Sequence, residues 1–274
     1  MKYSLTAMLF LLVLATSLAQ PNCNYFKLNG EMKRYEACLE AEKAAGHYQF
    51  SKEYQQVFDR VIQMDPTWAY PYRAKSVAYL KSGDFIEWKK LIDKAVEYDT
   101  LGYLEYRGWC RYQFFRDYKG AIEDLLLLKK LTNNDMGISV NGHYHLDIAL
   151  ALCYKAIGKT DLAIDLILEK LGDETYFVGV YDQLHLGVMY LEKGNYAKAI
   201  EFLDKQKKIN DLSENRYYAA LAHKALNQKE AYVENLSLAR EYYQNKQRMH
   251  DVYTHHMDKV YMSTIENEER NGAN

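Results

Sequence analysis

The chain has 274 residues and a net charge of −2, from 35 basic and 37 acidic side chains. This near balance argues against a general nucleic-acid binder, which carries a concentrated basic patch. With only 3 prolines and 14 glycines, and few runs that alternate apolar and polar residues, the composition favours helices joined by short turns.

The first 19 residues have the pattern of a secretory signal peptide. Lys2 gives a positive start, residues 9–14 read LFLLVL, and residues 17–19 read SLA before Gln20. The apolar run is shorter than the ~20 residues that span a bilayer, so a retained membrane anchor is the less favoured alternative. The ending is similar to export signals of Bacteroidetes-type bacteria. We therefore predict an exported protein, periplasmic or secreted, with no membrane span after cleavage.

A sequence motif returns about every 34 residues between residues 35 and 240. Around Gly194 it reads LGVMYLEKGNYAKAIEFL, at residues 186–203. A fixed period of this length indicates a stack of similar helix pairs. The turn of the motif recurs at five positions, which are Gly83, Arg116, Gly158, Gly194 and Asn227.

Residues 186–203 resemble a tetratricopeptide repeat (TPR), a helix-turn-helix unit with the pattern W-x2-L-G-x2-Y…A-x3-F…P. Leu186, Gly187 and Tyr190 match the first part, Ala199 is the small second-helix residue, and Leu203 takes the place of Phe. The small residues allow the two helices to approach closely where they cross. The resemblance implies an all-α fold, a right-handed α-solenoid of about six TPR-like helix pairs.

The ends of the repeat array differ from its interior. Residues 20–34 are predicted to be irregular. Residues 241–274 are predicted to form a capping helix with a frayed tail, because apolar side chains recur there at three- to four-residue spacing.

The four cysteines fall into two pairs. Export would place them in an oxidising compartment, where Cys23 and Cys38 form a candidate disulfide that ties the N-terminal segment to the first helix; free thiols are the alternative. Cys110 and Cys153 each fall in the middle of a first helix of a repeat. Because packed helices lie 8–10 Å apart and a disulfide needs Cα atoms within about 7 Å, we interpret both as buried apolar residues.

Motifs of catalysis are lacking in the sequence. It contains no H-E-x-x-H, G-x-S-x-G or G-x-G-x-x-G, and Gly158-Lys159-Thr160 lacks the first glycine of a phosphate-binding loop. We therefore predict no enzyme activity and no cofactor. The His/Met-rich stretch 249–257 gives weak metal candidates, His250, His255 and His256, but polar residues of the cap are the favoured interpretation.

The 26 tyrosines exceed what the repeat framework requires, and tyrosine suits binding grooves. In the TPR family, the second, fifth, ninth and twelfth to thirteenth residues of each first helix line a concave groove. Carried over through the turn register, the resemblance implies a partner-binding groove of Tyr70, Arg73, Val77, Lys81, Tyr103, Tyr106, Phe114, His145, Tyr181, Leu184, Val188, Tyr217 and Lys224.

The function implied is that of an exported, non-catalytic scaffold or adaptor that binds a protein or peptide segment in this groove. Arg73, Arg107, Lys81 and Lys224 would orient acidic groups of the partner. A glycan- or peptidoglycan-associated envelope factor is the first alternative, and a metal-handling module is the second. Partner identity, pathway and oligomeric state are left open by the sequence, and no nucleic-acid partner is expected.

Overall fold

The computed structural model describes residues 21–272, so the predicted signal peptide lies outside the described residues. Within them the fold is all-helical, with fourteen α-helices that pack mainly in adjacent pairs. Extended pairing is limited in this range to an isolated bridge between Ile138 and His145. No helix of the described part has the length and apolar character needed to cross a membrane. The predicted all-α fold is therefore confirmed.

The chain divides into two compact units, and the first unit ends at Tyr98. Its helices are α1 (Cys23–Leu28), α2 (Met32–Glu42), α3 (Lys52–Met64), α4 (Ala69–Ser82) and α5 (Phe85–Tyr98). A 3-10 turn at Lys43–Gly46 follows α2. Helix α2 packs against α3, and α4 packs against α5.

The prediction of an irregular segment at residues 20–34 is wrong, because α1 and the start of α2 lie there. The side chain of Asn22 accepts a hydrogen bond from the Asn24 backbone N–H (3.1 Å) and so caps α1. A disulfide joins Cys23 in α1 to Cys38 in α2, with a Cα–Cα distance of 5.5 Å. Both half-cystines are buried in the core of this unit beside Trp68.

The second unit begins at Asp99. Its helices are α6 (Thr100–Cys110), α7 (Tyr118–Leu131), α8 (Leu146–Ala156), α9 (Thr160–Leu171), α10 (Asp182–Glu192), α11 (Tyr196–Ile209), α12 (Ser213–Ala225), α13 (Lys229–Gln244) and α14 (Met262–Gly272). A π-helical turn at Arg111–Phe115 follows α6. Pairing runs α6 with α7, α8 with α9, α10 with α11, and α12 with α13. With the two pairs of the first unit, the described chain contains the six helix pairs that the repeat predicts.

The turns between paired helices have a common backbone conformation. All five turn residues that the sequence motif marks have positive φ, namely Gly83 (84°), Arg116 (55°), Gly158 (80°), Gly194 (75°) and Asn227 (58°). A left-handed residue ends a helix and allows the chain to reverse. The turn register read from the sequence is therefore the register of the structure.

Helices α10 and α11 cross most closely at Gly187. A Cβ atom at this position would lie 2.8 Å from Leu203 Cγ and 3.3 Å from the Ala199 carbonyl oxygen. Tyr190 and Phe202 stack beside the crossing, with ring centroids 5.4 Å apart. The small residue at position 187 therefore sets the distance between the two helices.

Replacing Gly187 by valine is expected to lower the free energy of unfolding by about 1–3 kcal/mol, the usual cost of overpacking a tight interior. The new side chain would force Leu203 from its position, and urea unfolding followed by circular dichroism measures the loss. Gly46→Val is the matched control, because a Cβ atom at Gly46 meets nothing within 4 Å. Equal losses in the two variants would show that the close crossing is not the cause.

The predicted capping helix at residues 241–274 is only partly correct. Helix α13 ends at Gln244, and α14 begins at Met262. Residues 245–261, which we call the C-terminal strap, form no helix. Two strap residues, Lys246 (φ 64°) and Asp258 (φ 61°), have left-handed backbone conformations that interrupt helical continuation.

Candidate functional site

A buried ion pair anchors the C-terminal strap to helices α8 and α10 of the same unit. Lys155 Nζ, on α8, donates a hydrogen bond to Asp258 Oδ1 (2.6 Å). His185 Nδ1, on α10, lies 2.8 Å from Asp258 Oδ2, and its side chain is fully buried. Burial by itself raises the pKa of Asp258, but the hydrogen bond from His185 and the charge of Lys155 hold it below its usual range. Asp258 is therefore a charged anchor inside the protein.

A chain of hydrogen bonds extends from this anchor to a second strap residue. The Tyr144 hydroxyl lies 3.2 Å from His185 Nε2 and 3.0 Å from His256 Nδ1. Burial lowers the pKa of His256 to about 4, and the His250 carbonyl oxygen, 3.4 Å from Nε2, opposes this shift because it favours the protonated imidazole. His256 is therefore a neutral, buried imidazole at neutral pH.

Glu214 at the start of α12 holds the strap at two points. Its carboxylate accepts the backbone N–H of Met249 (3.0 Å) and of Val260 (3.4 Å). Burial raises the pKa of Glu214, while these backbone hydrogen bonds act in the opposite direction. Between the two points, Gln113 Nε2 donates to the Thr254 hydroxyl (2.6 Å). The strap is thus fixed by polar contacts along most of its length.

The first helices of two pairs in this unit are buried along most of their length. Residues 146–153 of α8 and 182–190 of α10 are buried without interruption. A helix that is covered on one face only would alternate buried and exposed positions. Tyr181 packs against His256 of the strap, with ring centroids 5.0 Å apart. Part of the surface predicted to receive a partner is therefore in contact with the chain itself.

The predicted groove residues of the second unit accordingly have several environments. Tyr106, Tyr181, Leu184, Val188 and Tyr217 are buried. Tyr103, Phe114 and His145 are half-buried, and the His145 ring packs on Tyr176. The predicted partner-orienting cations of this unit have partners within the chain. Lys224 bonds Glu268 of α14 (2.6 Å), and Arg107 bonds Asp124 of α7 (2.7 Å).

The predicted groove residues of the first unit lie together at an open cavity. Tyr70, Arg73 and Val77 share one face of α4, because their spacing of three and four residues matches the helical turn. They line a cavity of about 320 Å³, and all three are half-buried. Lys81, one turn further along α4, donates to Gln49 at the cavity (3.2 Å).

Sequence reasoning missed the opposite wall of this cavity. Tyr54 and Phe58 of α3 face the α4 residues, and the segment after the 3-10 turn contributes His47 and Gln49. The Tyr54 and Phe58 rings meet edge to face, with centroids 5.0 Å apart. Burial raises the pKa of Tyr54, against the effect of the Gln49 hydrogen bond and the Arg73 charge. We call this cavity the α3–α4 pocket; its walls are aromatic and its charge is positive.

The weak metal candidates are separated by the structure. His250 and His255 are exposed on the strap, whereas His256 is buried. Among the described residues, the group of three potential ligands that includes His256 contains neither His250 nor His255. The residues that do surround His256 come from elsewhere and were not predicted.

Paired helices, left-handed turns and a small residue at a helix crossing define the class of this protein as an all-α protein with a TPR-like fold. No family model matches the sequence, and no curated protein matches it.

Several solved structures have a similar fold, and they are TPR proteins. PilF of Pseudomonas aeruginosa has a TM-score of 0.58 and 15% identity, over 78% of this chain and 98% of that chain. PilW, a widely conserved type IV pilus biogenesis factor, has a TM-score of 0.59 and 11% identity, over 78% and 94%. YrrB, a TPR protein with an unusual peptide-binding site, has a TM-score of 0.50 and 15% identity, over 69% and 93%. Identities this low show a shared fold alone.

Proposed function

We propose that this protein is an exported, non-catalytic scaffold that binds a segment of a partner protein in the α3–α4 pocket. The observation that carries the proposal is a difference in exposure between the predicted groove residues of the two units. The first-unit positions line an open cavity, whereas several second-unit positions are buried and Tyr181 packs on the strap. YrrB, with a similar fold, has a peptide-binding site, which supports a role in protein interaction.

The chemistry of the pocket favours a peptide over a glycan. A sugar site combines aromatic platforms with several convergent amide and carboxylate side chains. Here the lining includes the apolar side chains of Phe58, Ala74 and Val77. Gln49, the amide among the described lining residues, accepts a hydrogen bond from Lys81. We therefore favour a ligand that places an apolar or aromatic side chain between Tyr54 and Tyr70.

Arg73 gives the pocket its charge preference. A guanidinium beside aromatic walls is suited to bind a carboxylate, in a bidentate manner where the geometry allows it. The preferred segment would therefore carry an acidic side chain or a free C-terminus next to its apolar residue. The role of PilW as a type IV pilus biogenesis factor belongs to that protein. By analogy we propose an assembly of the cell envelope as one setting for this scaffold.

Export is part of the proposal and rests on two observations. Residues 1–19 have the signal-peptide pattern, and the Cys23–Cys38 disulfide is of a kind that persists in oxidising compartments.

Selection of random peptides with free C-termini on the immobilised protein tests the binding site. We expect enrichment of peptides with an apolar residue beside a carboxylate, and at least a tenfold weaker Kd for Tyr70→Ala and for Arg73→Glu, because a buried aromatic contact and a charge-assisted hydrogen bond are typical hot spots. Arg60→Glu is the matched control; it reverses a cation in the same unit that pairs with Glu40 outside the pocket. Peptides that bind all variants equally would show that the pocket is not the site.

A further inference from the structure

Three potential metal ligands lie close together where the strap contacts the loop before α8. His143 comes from the connection between α7 and α8, and Asp251 and His256 come from the strap. One ligand atom of each lies within 4.8 Å of the other two. The His143 and His256 rings are 5.3 Å apart between centroids. His256 is buried, and the other two side chains are half-buried, so the cluster is accessible to a small ion.

The Asp251 carboxylate is already oriented by its own neighbourhood. Its Oδ1 atom accepts the backbone N–H of Tyr253 (2.8 Å) and of Thr254 (2.9 Å), and the Thr254 hydroxyl lies 3.2 Å away. All three contacts involve the same oxygen atom. The orientation of the group is thus fixed while its Oδ2 atom is left for a further ligand.

His256 has the surroundings of a metal-binding histidine. Metal-bound imidazoles commonly donate their second N–H to a polar partner, which fixes the tautomer. If His185 donates from Nδ1 to Asp258, then its Nε2 accepts from Tyr144, and the Tyr144 oxygen accepts from His256 Nδ1. The observed distances fit this relay at each step, at 2.8, 3.2 and 3.0 Å. In this arrangement His256 Nε2 carries a lone pair.

The remaining contact of His256 Nε2 is weak. The His250 carbonyl oxygen lies 3.4 Å away, which is long for an N–H···O hydrogen bond. The same distance is close to the spacing of neighbouring ligands around tetrahedral zinc, about 3.4 Å for bonds of about 2.1 Å. A metal ion at Nε2 would therefore have a backbone oxygen near its fourth position.

We propose that His143, Asp251 and His256 bind a divalent transition-metal ion of the zinc class, which joins the strap to the loop before α8. Two imidazoles and one carboxylate suit zinc and its neighbours, whereas calcium and magnesium prefer oxygen ligands. The distances between the ligand atoms, now up to 4.8 Å, would have to shorten by up to about 1.4 Å to match the spacing of ligands around tetrahedral zinc. His143 lies on a loop and supplies this movement, and Asn141, now 3.1 Å from His143 Nδ1, would turn its amide oxygen toward that atom. The site goes beyond the proposed function, because it lies in the second unit and is independent of the α3–α4 pocket.

Calorimetric titration of the EDTA-treated protein with zinc chloride tests the proposal. We expect one zinc ion per chain in the wild-type protein, and at least a tenfold weaker Kd in His143→Ala and in Asp251→Asn. The matched controls are His250→Ala and His255→Ala, which remove exposed imidazoles from the same strap and are expected to leave Kd unchanged. Cobalt substitution provides a second readout, since a tetrahedral site gives visible absorption that His143→Ala should abolish.

His143 and Asp251 are the preferred positions for substitution because both are half-buried, and circular dichroism verifies that the variants fold. Absence of zinc binding by the folded wild-type protein would overturn the proposal. So would zinc binding that persists in His143→Ala and Asp251→Asn but is lost in His250→Ala or His255→Ala, since this would assign the ion to surface imidazoles.

Discussion

Replacing Asp258 by alanine is expected to lower the free energy of unfolding of the second unit by about 3–5 kcal/mol, the usual cost of removing one partner from a buried charge pair. Lys155 would keep a buried charge without its main counterion, since its other carboxylate contact is the half-exposed Glu192 (3.0 Å). His185 would lose the acceptor for Nδ1. The strap is expected to detach as a result.

Urea unfolding measures the loss in the free energy of unfolding. Limited proteolysis between residues 245 and 261 detects the detachment of the strap. Asp161→Ala is the matched control, because it removes a carboxylate that pairs with a lysine, Lys193, in the same unit but on the surface. Exposed pairs contribute about 0–1 kcal/mol. If Asp258→Ala behaved like this control, and the strap stayed resistant to protease, the ion pair would not be the anchor.

Loss of the disulfide is expected to have the second largest effect. Cys23 and Cys38 are 15 residues apart, and closing a loop of this length stabilises a protein by about 3 kcal/mol through the entropy of the unfolded chain. The pair Cys23→Ser and Cys38→Ser should therefore lower the free energy of unfolding of the first unit by about this amount. Urea unfolding followed by tryptophan fluorescence is a suitable measurement, since Trp68 packs in the same core.

A reducing agent separates this effect from the substitutions themselves. The wild-type protein should lose stability in the presence of the reductant, and the double serine variant should not respond. The thiols of Cys110 and Cys153 lie outside a disulfide and are buried, so neither is accessible for disulfide exchange. Burial also raises the pKa of Cys153, which lowers its reactivity further. A wild-type protein indifferent to reductant would contradict the prediction.

The repeat architecture could be predicted because its determinants are local. Each turn residue and each small residue at a crossing acts within about 20 positions of its partner, as Gly187 does with Leu203. The period then follows from the sequence without knowledge of the rest of the chain. The resemblance to the TPR family, carried over through the turn register, selected Tyr70, Arg73 and Val77, and in the structure these three residues line one cavity.

The strap could not be predicted because its determinants are distant. Apolar residues between 242 and 260 have helical spacing, and the left-handed residues Lys246 and Asp258 are not glycines that would mark a break. What holds the segment in place is Glu214, at a separation of 35 residues from Met249 and 46 from Val260. Helical spacing of apolar residues does not make a segment helical when buried polar contacts to distant residues hold it in another conformation.

One sequence signal did indicate the extensive burial in this unit. Helix α8 reads LDIALALCYKA, which is apolar on nearly every face, and a helix of this kind is covered on both sides. Similarly, some of the many tyrosines pack within the chain and do not form an exposed binding surface. Tyr144 and Tyr181 form a ring cluster with His256 of the strap, so aromatic enrichment in this unit does not by itself indicate an external partner.

The sequence identified only one of the two walls of the α3–α4 pocket, the wall formed by α4. The family positions that line a groove belong to first helices, and they identified the α4 wall. Tyr54 and Phe58 belong to the preceding second helix, and Gln49 to the turn before it, so the register did not include them. Their contribution follows from the packing of α3 on α4, which the sequence predicts as a contact but not as a cavity.

The position of the strap near the end of the chain has a consequence for biosynthesis. The protein is made from the N-terminus, so α8, α10 and α12 leave the ribosome before the residues that cover them. Until residue 260 has emerged, the rings of Tyr144 and Tyr181 and the carboxylate of Glu214 lack contacts that they have in the finished protein. Exposed apolar surface in incomplete chains promotes aggregation. Synthesis halted near Gln244 would therefore yield a chain that has all its helix pairs but leaves these contacts unmade. Its exposed aromatic surface would promote aggregation and would distinguish it, for a chaperone or protease, from the complete chain.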